Sequence, residues 1–323
     1  MNNFIKIKFK LKLNVYMMFF SLMMFFFMIM MILVGVAFLT LFERKILSYI
    51  QFRKGPNKML FMGNFQPFSD AIKLMTKEFT MLIFGNYFIF LIVPFMSLTI
   101  SMLIWLVSPM MFNNLDFNMS AMFFLCCVAL GIYSLMGSGW SSNSKYSYLG
   151  SIRSVAQSIS YEVSLALIMM NYLLLSLSLG FNFLNEYQLG FWFLFLMIPI
   201  SMMWMLSFLA EINRSPFDFS EGESELVSGF NIEYSSMQFG VIFMSEYMMM
   251  MFMSYLTSIL MLGNNFSMKF YLMVFLMNLF ILWVRGSFPR FRYDYLMELC
   301  WKIFLPLILF ILIFINMIII YFK

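Results

Sequence analysis

Runs of about twenty apolar residues, each long enough to cross a ~30 Å hydrocarbon core as a helix, recur between short polar segments from Met17 almost to Lys323. Water cannot solvate a chain built this way. Hydrophobic residues fill 63% of the 323 positions and charged residues 11%, far from the balance of soluble domains, so the bilayer is the solvent for most of the chain. Hydropathy places eight spans, at 17–42, 82–108, 119–138, 157–180, 190–210, 236–262, 268–284 and 303–322. Residues 1–16 form an N-terminal extension, and 17–323 form a single multi-span membrane domain, with no internal repeat and no linker that would separate a second one.

Eight spans put both termini on one side and the connections 43–81, 139–156, 211–235 and 285–302 on the other. Fourteen of the twenty Lys and Arg residues lie in those four connections, which the positive-inside rule therefore places together. The extension, with Lys6, Lys8, Lys10 and Lys12, runs against that count and looks superficially like the start of a signal peptide. No small-residue cleavage site follows it, so Met17 to Phe42 reads as the first span.

The residue inventory excludes several kinds of redox chemistry. There is no histidine and only Cys126, Cys127 and Cys300, so neither a His-ligated haem nor a four-Cys cluster can be held by this chain alone. Cys126 and Cys127 sit in an apolar run and read as inert thiols. The 38 Met and 44 Phe residues, with few Ala, fit an AT-rich organellar gene whose code reads more codons as Met.

Two connections are not ordinary loops. Across Phe65–Glu78 the apolar residues Phe68, Ile72, Met75 and Phe79 follow helical spacing, and Asp70, Lys73 and Lys77 follow the other face. Asn64 is placed to cap this helix and Pro67 to sit in its first turn. Such a helix lies in the interface, either as an anchor or as the wall of a site. Glu211–Glu233 carries Glu211, Asp218, Glu221, Glu223, Glu225 and Glu233 against a single Arg214, interleaved with Phe217, Phe219, Leu226, Val227 and Phe230. Carboxylates crowded beside apolar groups raise one another's pKa values and can exchange protons near neutrality; a solvated acidic face is the plainer alternative. Glu162, after Tyr161, and Glu246, before Tyr247, fall inside spans, where an ionisable group marks a proton route or else a structural hydrogen bond.

Several strings in order carry a resemblance: Glu43-Arg44-Lys45, Gln51-Phe52-Arg53-Lys54-Gly55-Pro56-Asn57, Ala156-Gln157-Ser158-Ile159-Ser160-Tyr161-Glu162, Ala210-Glu211-Ile212-Asn213-Arg214, the run from Glu221 to Tyr234, and Pro289-Arg290-Phe291-Arg292-Tyr293-Asp294. From about Val34 to Leu309 the chain resembles the subunit 1 family of proton-pumping NADH-quinone oxidoreductases, respiratory complex I. The resemblance implies an all-α integral membrane subunit of the mitochondrial inner membrane, with about eight transmembrane helices, an amphipathic interfacial helix and an acidic matrix-side loop. It implies no redox centre in this chain: NADH, FMN and iron-sulfur clusters belong to partner subunits, and ubiquinone is the substrate of the complex. The implied partners are those subunits, ubiquinone and membrane lipid, with no nucleic acid.

Carried over by motif, Arg44, Gln51, Asp70, Lys73 and Arg290 line or border a quinone access tunnel, and Arg214, Asp218, Glu221 and Glu223 stand where the acidic loop meets it. Tyr161, Glu162, Glu211 and Glu246 continue inward as a carboxylate chain, with Arg153 balancing its charge. The acids are expected to converge on one side of the bundle. Two departures stand out: the first sixteen residues extend beyond the usual family start, and Tyr295 replaces the Gln common after the Asp. A hydrogenase-type relative would share the fold and acidic loop, but the Met-rich organellar composition speaks against that prokaryotic setting. A stand-alone proton-coupled transporter would favour paired Gly/Pro-broken spans in matching halves, which the sequence lacks.

Overall fold

A computed structural model of the chain describes residues 2–80, 82, 84–109, 118–188, 190–220, 222, 229–263 and 267–322. Its described residues are helical or irregular, with no strand among them. In chain order the helices are α1 (Asn2–Ile50), α2 (Leu60–Gly63), α3 (Gln66–Thr76), α4 (Tyr87–Ile104, continued by a 3-10 turn), α5 (Ser120–Ser142), α6 (Lys145–Ser176) and α7 (Phe181–Tyr187). They are followed by α8 (Phe193–Leu196), α9 (Ile198–Glu211), α10 (Ser236–Leu262), α11 (Met268–Ser287), α12 (Tyr293–Glu298) and α13 (Leu305–Phe322). A π-helical turn, Leu299–Phe304, joins the last two. It lies immediately ahead of Pro306, whose missing N–H and bulky ring disfavour an ordinary α register there.

Among the described residues seven helical segments are long and apolar enough to cross a membrane: 19–50, 87–107, 120–142, 145–176, 236–262, 268–287 and 293–321. The span expected at 190–210 is present as a shorter apolar helix, α9, preceded by the single turn α8. Pro199 enters at the start of α9, leaving 14 residues, or roughly 21 Å at 1.5 Å per residue, short of the hydrocarbon thickness. α1 runs unbroken from Asn2 to Ile50, so the expected boundary at residue 16 falls inside a helix.

The stretch 139–156, expected to be a connection, is almost wholly helical, with only Asn143 and Ser144 between α5 and α6. Within it Ser147, Gly150, Ser151 and Ser154 are buried. The hydroxyls of Ser151, Ser154 and Ser158 each bond to the carbonyl three residues back, so small polar side chains satisfy themselves within the helix and let neighbouring backbones approach. Asn143 turns the chain in the left-handed conformation at φ +50°. For α3, the residue preceding the helix is Phe65 and no side chain caps it, so Asn64 does not have the expected capping role; Pro67 does sit in the first turn.

α10 packs against α1, α3, α4, α9 and α11, while α6 packs against α5, α9 and α13. Trp204 of α9, Tyr161 and Tyr172 of α6, Phe124 of α5 and Phe252 of α10 fill the core between them. The outer sides of α1 and α13 leave Phe26, Phe27, Met31, Phe310 and Phe314 exposed, which costs nothing where they meet hydrocarbon.

All four basic connections meet at one end. Thr80 and Ser235 share a hydroxyl hydrogen bond of 2.6 Å, Asn143 Nδ2 donates to the Phe84 carbonyl at 3.0 Å, and Phe291 N–H donates to the Pro216 carbonyl at 3.0 Å. At the other end Tyr255 Oη donates to Pro109 O and Phe181 N–H to Ser120 Oγ.

The α5–α6 contact is tight enough to test. A Cβ on Gly139 would fall on the Ser151 side chain and within 2.8 Å of the Ser147 carbonyl oxygen, whereas one on Gly131 meets nothing within 4 Å. Gly139→Ala is expected to destabilise by about 1–3 kcal/mol through overpacking. Gly131→Ala should be neutral or slightly stabilising, and thermal unfolding of the two detergent-purified proteins compares them.

Candidate functional site

Among the described residues a buried charge hub is centred on Glu43, two turns from the end of α1. Arg214 Nη1 lies 3.2 Å from Glu43 Oε1, Arg285 Nη1 also contacts Oε1, and Tyr247 Oη donates to Oε2 at 2.7 Å. The Arg214 guanidinium also stands 4.4 Å over the Tyr247 ring, which its charge favours. The Glu43 side chain is only 5% exposed, so this is a desolvated carboxylate held by two cations and a phenol. Burying the ions is costly, and this multiple bonding offsets the cost. Local structure brings the partners in: α9 ends at Glu211, Asn213 two residues on turns the chain with a left-handed φ of +53°, and Arg285 is in the last turn of α11.

A second group lies further out. Arg44 pairs with Asp70 at 2.6 Å, and Gln66 Nε2 donates to the other oxygen of Asp70 at 3.0 Å, tying α3 to α1. Arg44, Gln51 and Gln66 line an open cavity of about 720 Å³ together with Arg53, Lys54 and Lys58. Lys73 is exposed on α3, one turn beyond Asp70. Asp218 and Arg290 form an ion pair at 3.6 Å, too long for a hydrogen bond. Beside it the Phe217 ring stacks on Phe291, centroids 5.5 Å apart, and meets Tyr161 at 6.1 Å.

A third group faces the bundle interior. Glu211 and Glu246 line one cavity of about 100 Å³, whose wall also carries Ser97, Ser101, Asn213 and Ser245. A cavity of this size holds several waters, at roughly 10–15 Å³ of probe-occupied volume each. Glu162 on α6 is close enough for its charge to act on Glu211. Glu211 Oε2 and Asn213 Oδ1 are buried with no hydrogen-bond partner among the described residues. Near the start of α10, Tyr234 stacks on Phe90 at 4.3 Å. Burial pushes its phenol up to about 12, against a smaller lowering by the Ser141 hydrogen bond, so it stays neutral at physiological pH.

Glu211 and Glu246 thus share one cavity, though far apart in sequence; Glu162 does not line it, and only its charge reaches Glu211. Tyr161 does not join the cavity wall; it is fully buried against Phe217 with its hydroxyl beside the Cys300 thiol. Arg153 lies nine residues before Glu162, about 13 Å back along α6 and on its opposite face, with its charge acting on Tyr293. Glu221 and Glu223 lie outside the described residues.

The family model for NADH dehydrogenase matches residues 22–316. The chain belongs to the NADH dehydrogenase family. It is 53% identical over 280 residues to the NADH-ubiquinone oxidoreductase chain 1 of Aedes aegypti, covering 85% of this chain and 88% of that protein. Its identity to the protein of that name from Locusta migratoria is 50% over 294 residues, covering 90% and 94%, and to that from Sminthopsis macroura 47% over 286 residues, covering 86% and 90%.

In this member of the NADH dehydrogenase family, sequence reasoning placed Arg214 at the site but passed over its partners Glu43, Tyr247 and Arg285. The available signal was positional: an acid and a base at the ends of two apolar runs, at matching depth, are each costly alone and cheap together. Magnitudes separate the two ion-pair groups. Glu43→Gln leaves two guanidiniums facing one another without an anion and is expected to cost about 3–5 kcal/mol. Asp70→Asn breaks a pair whose Arg44 side is 50% exposed and should cost no more than about 1 kcal/mol. Thermal denaturation midpoints of the two variants, each against the parent, check the difference.

Proposed function

We propose that this chain is a core membrane subunit of the proton-pumping NADH-ubiquinone oxidoreductase of the mitochondrial inner membrane. In this reading it forms the ubiquinone access tunnel and the first part of the proton-coupling path. One observation carries it: a polar opening walled by Arg44, Gln51 and Gln66 lies at the same end of the bundle as a carboxylate-bearing cavity that reaches inward to Glu246. Family membership and the names of the relatives support it. The basic end faces the matrix, as the positive-inside rule favours.

In this reading NADH, FMN and the iron-sulfur clusters belong to partner subunits, and those centres supply the electrons. This chain's residues act on the quinone's surroundings and on protons. Arg44, Gln51, Asp70 and Lys73 border the tunnel. The Glu43 hub fixes Arg214 between the tunnel and the interior, and the Asp218–Arg290 pair stands at the loop junction. Glu211, Glu162 and Glu246 pass protons or the coupling signal inward, with water in the hydroxyl-lined cavity bridging Glu211 and Glu246.

Two variants test the two halves. Arg44→Leu is expected to lower quinone reduction by the assembled complex severalfold while NADH oxidation by a hydrophilic artificial acceptor stays at the parent level; a parallel fall of both refutes the tunnel role. Glu211→Gln keeps shape and hydrogen bonding but cannot exchange a proton. Quinone-coupled turnover and pumping should fall by about tenfold or more at unchanged assembly, and native activity would sink the path.

A further inference from the structure

A primary amide buried in a membrane helix is costly unless its two N–H groups find acceptors. Gln157 is fully buried on α6, and its Nε2 donates to the Ala210 carbonyl at 2.9 Å and to the Phe217 carbonyl at 3.0 Å. Both partners can only accept, so the amide nitrogen has to face them. Each carbonyl also takes a backbone N–H, Ala210 from Asn213 and Phe217 from Phe219, which uses both lone pairs.

The two carbonyls belong to the residues immediately before Glu211 and Asp218. One side chain therefore ties the end of α9 and the following loop to α6, which also carries Glu162 five positions further on. Asp218 in turn pairs with Arg290, and the next residue, Phe291, bonds Pro216 and stacks on Phe217. Gln157 thus stands where the loop bearing the tunnel-side ion pair joins the two helices that bear Glu162 and Glu211.

We propose that Gln157 is a positioning residue that holds Glu162, Glu211 and the Asp218–Arg290 pair in one fixed relation, so that a shift at the ion pair reaches the interior carboxylates through its amide. This rests on the reading of Glu211 as a proton-path acid. A group in this role affects coupling more than quinone affinity. Loss of both donors is equivalent to letting the loop and α9 move independently of α6.

The test uses the assembled complex reconstituted in vesicles, comparing Gln157→Met, which keeps length without donors, with Gln157→Asn, which keeps donors on a shorter arm. For Gln157→Met the quinone-coupled kcat is expected to fall about three- to tenfold with a lowered proton-to-electron ratio. The quinone KM should change by less than about twofold, and oxidation of NADH by a hydrophilic acceptor should not change. Gln157→Asn should lie between Gln157→Met and the parent. A merely structural role lowers the amount of assembled complex but leaves kcat and the proton ratio per complex unchanged, and that result overturns the proposal. Failure of both variants to assemble overturns it too, by reducing Gln157 to a folding requirement. Glu211→Gln in parallel separates the two readings: impaired Glu211→Gln beside a native-like Gln157→Met removes only the positioning role, whereas a native-like Glu211→Gln removes the path.

Discussion

A carboxylate withdrawn from water needs positive partners, and that requirement organises this membrane domain around Glu43. Its two oxygens take up Arg214, Arg285 and Tyr247, which arrive from the loop after α9, from α11 and from α10. None of these elements would have a reason to present a polar group at this depth without the others. In hydrocarbon, helix association gains little from burying apolar surface, because lipid tails solvate Leu and Phe as well as protein does. A charge cluster with several satisfied partners supplies direction that greasy packing cannot.

Around that hub the helices are held by close contact of small residues and by self-satisfied hydroxyls. Gly139, Ser147, Gly150 and Ser151 let α5, α6 and the backbone near Ser220 and Gly229 approach where any larger side chain would separate them. The same closeness places polar side chains within reach of the hydroxyl-lined cavity beside Glu211 and Glu246. The means of packing and the polarity of the interior are therefore one design: serine serves as a small spacer and, at Ser97, Ser138, Ser158 and Ser245, as a polar lining.

The candidate site was legible in part. Glu211, Glu246, Arg214 and Asp218 stood out because charges among apolar residues are conspicuous in sequence. Glu43 and Arg285 did not, since each sits near the end of an apolar run and looks like an ordinary boundary charge. Gln157 was hidden for another reason: a neutral amide among serines carries no periodicity or charge signal, and its importance lies in two carbonyls 53 and 60 residues away. Arg153 shares a helix with Glu162 but faces away from it, a consequence of helical geometry that motif order does not express.

By itself the sequence determined the class of this protein and the gathering of its basic connections at one end. Apolar run length must match the bilayer, and basic residues must gather on one face, whatever the contacts between helices turn out to be. Only the tertiary structure decided that 139–156 is helix rather than loop, that the segment at 190–210 divides at Met197 into α8 and α9, and which charges pair. Those outcomes depend on neighbours brought from distant parts of the chain: a serine is buried only if another backbone comes close, and a carboxylate is tolerated in the interior only if its counter-charges arrive at the same depth.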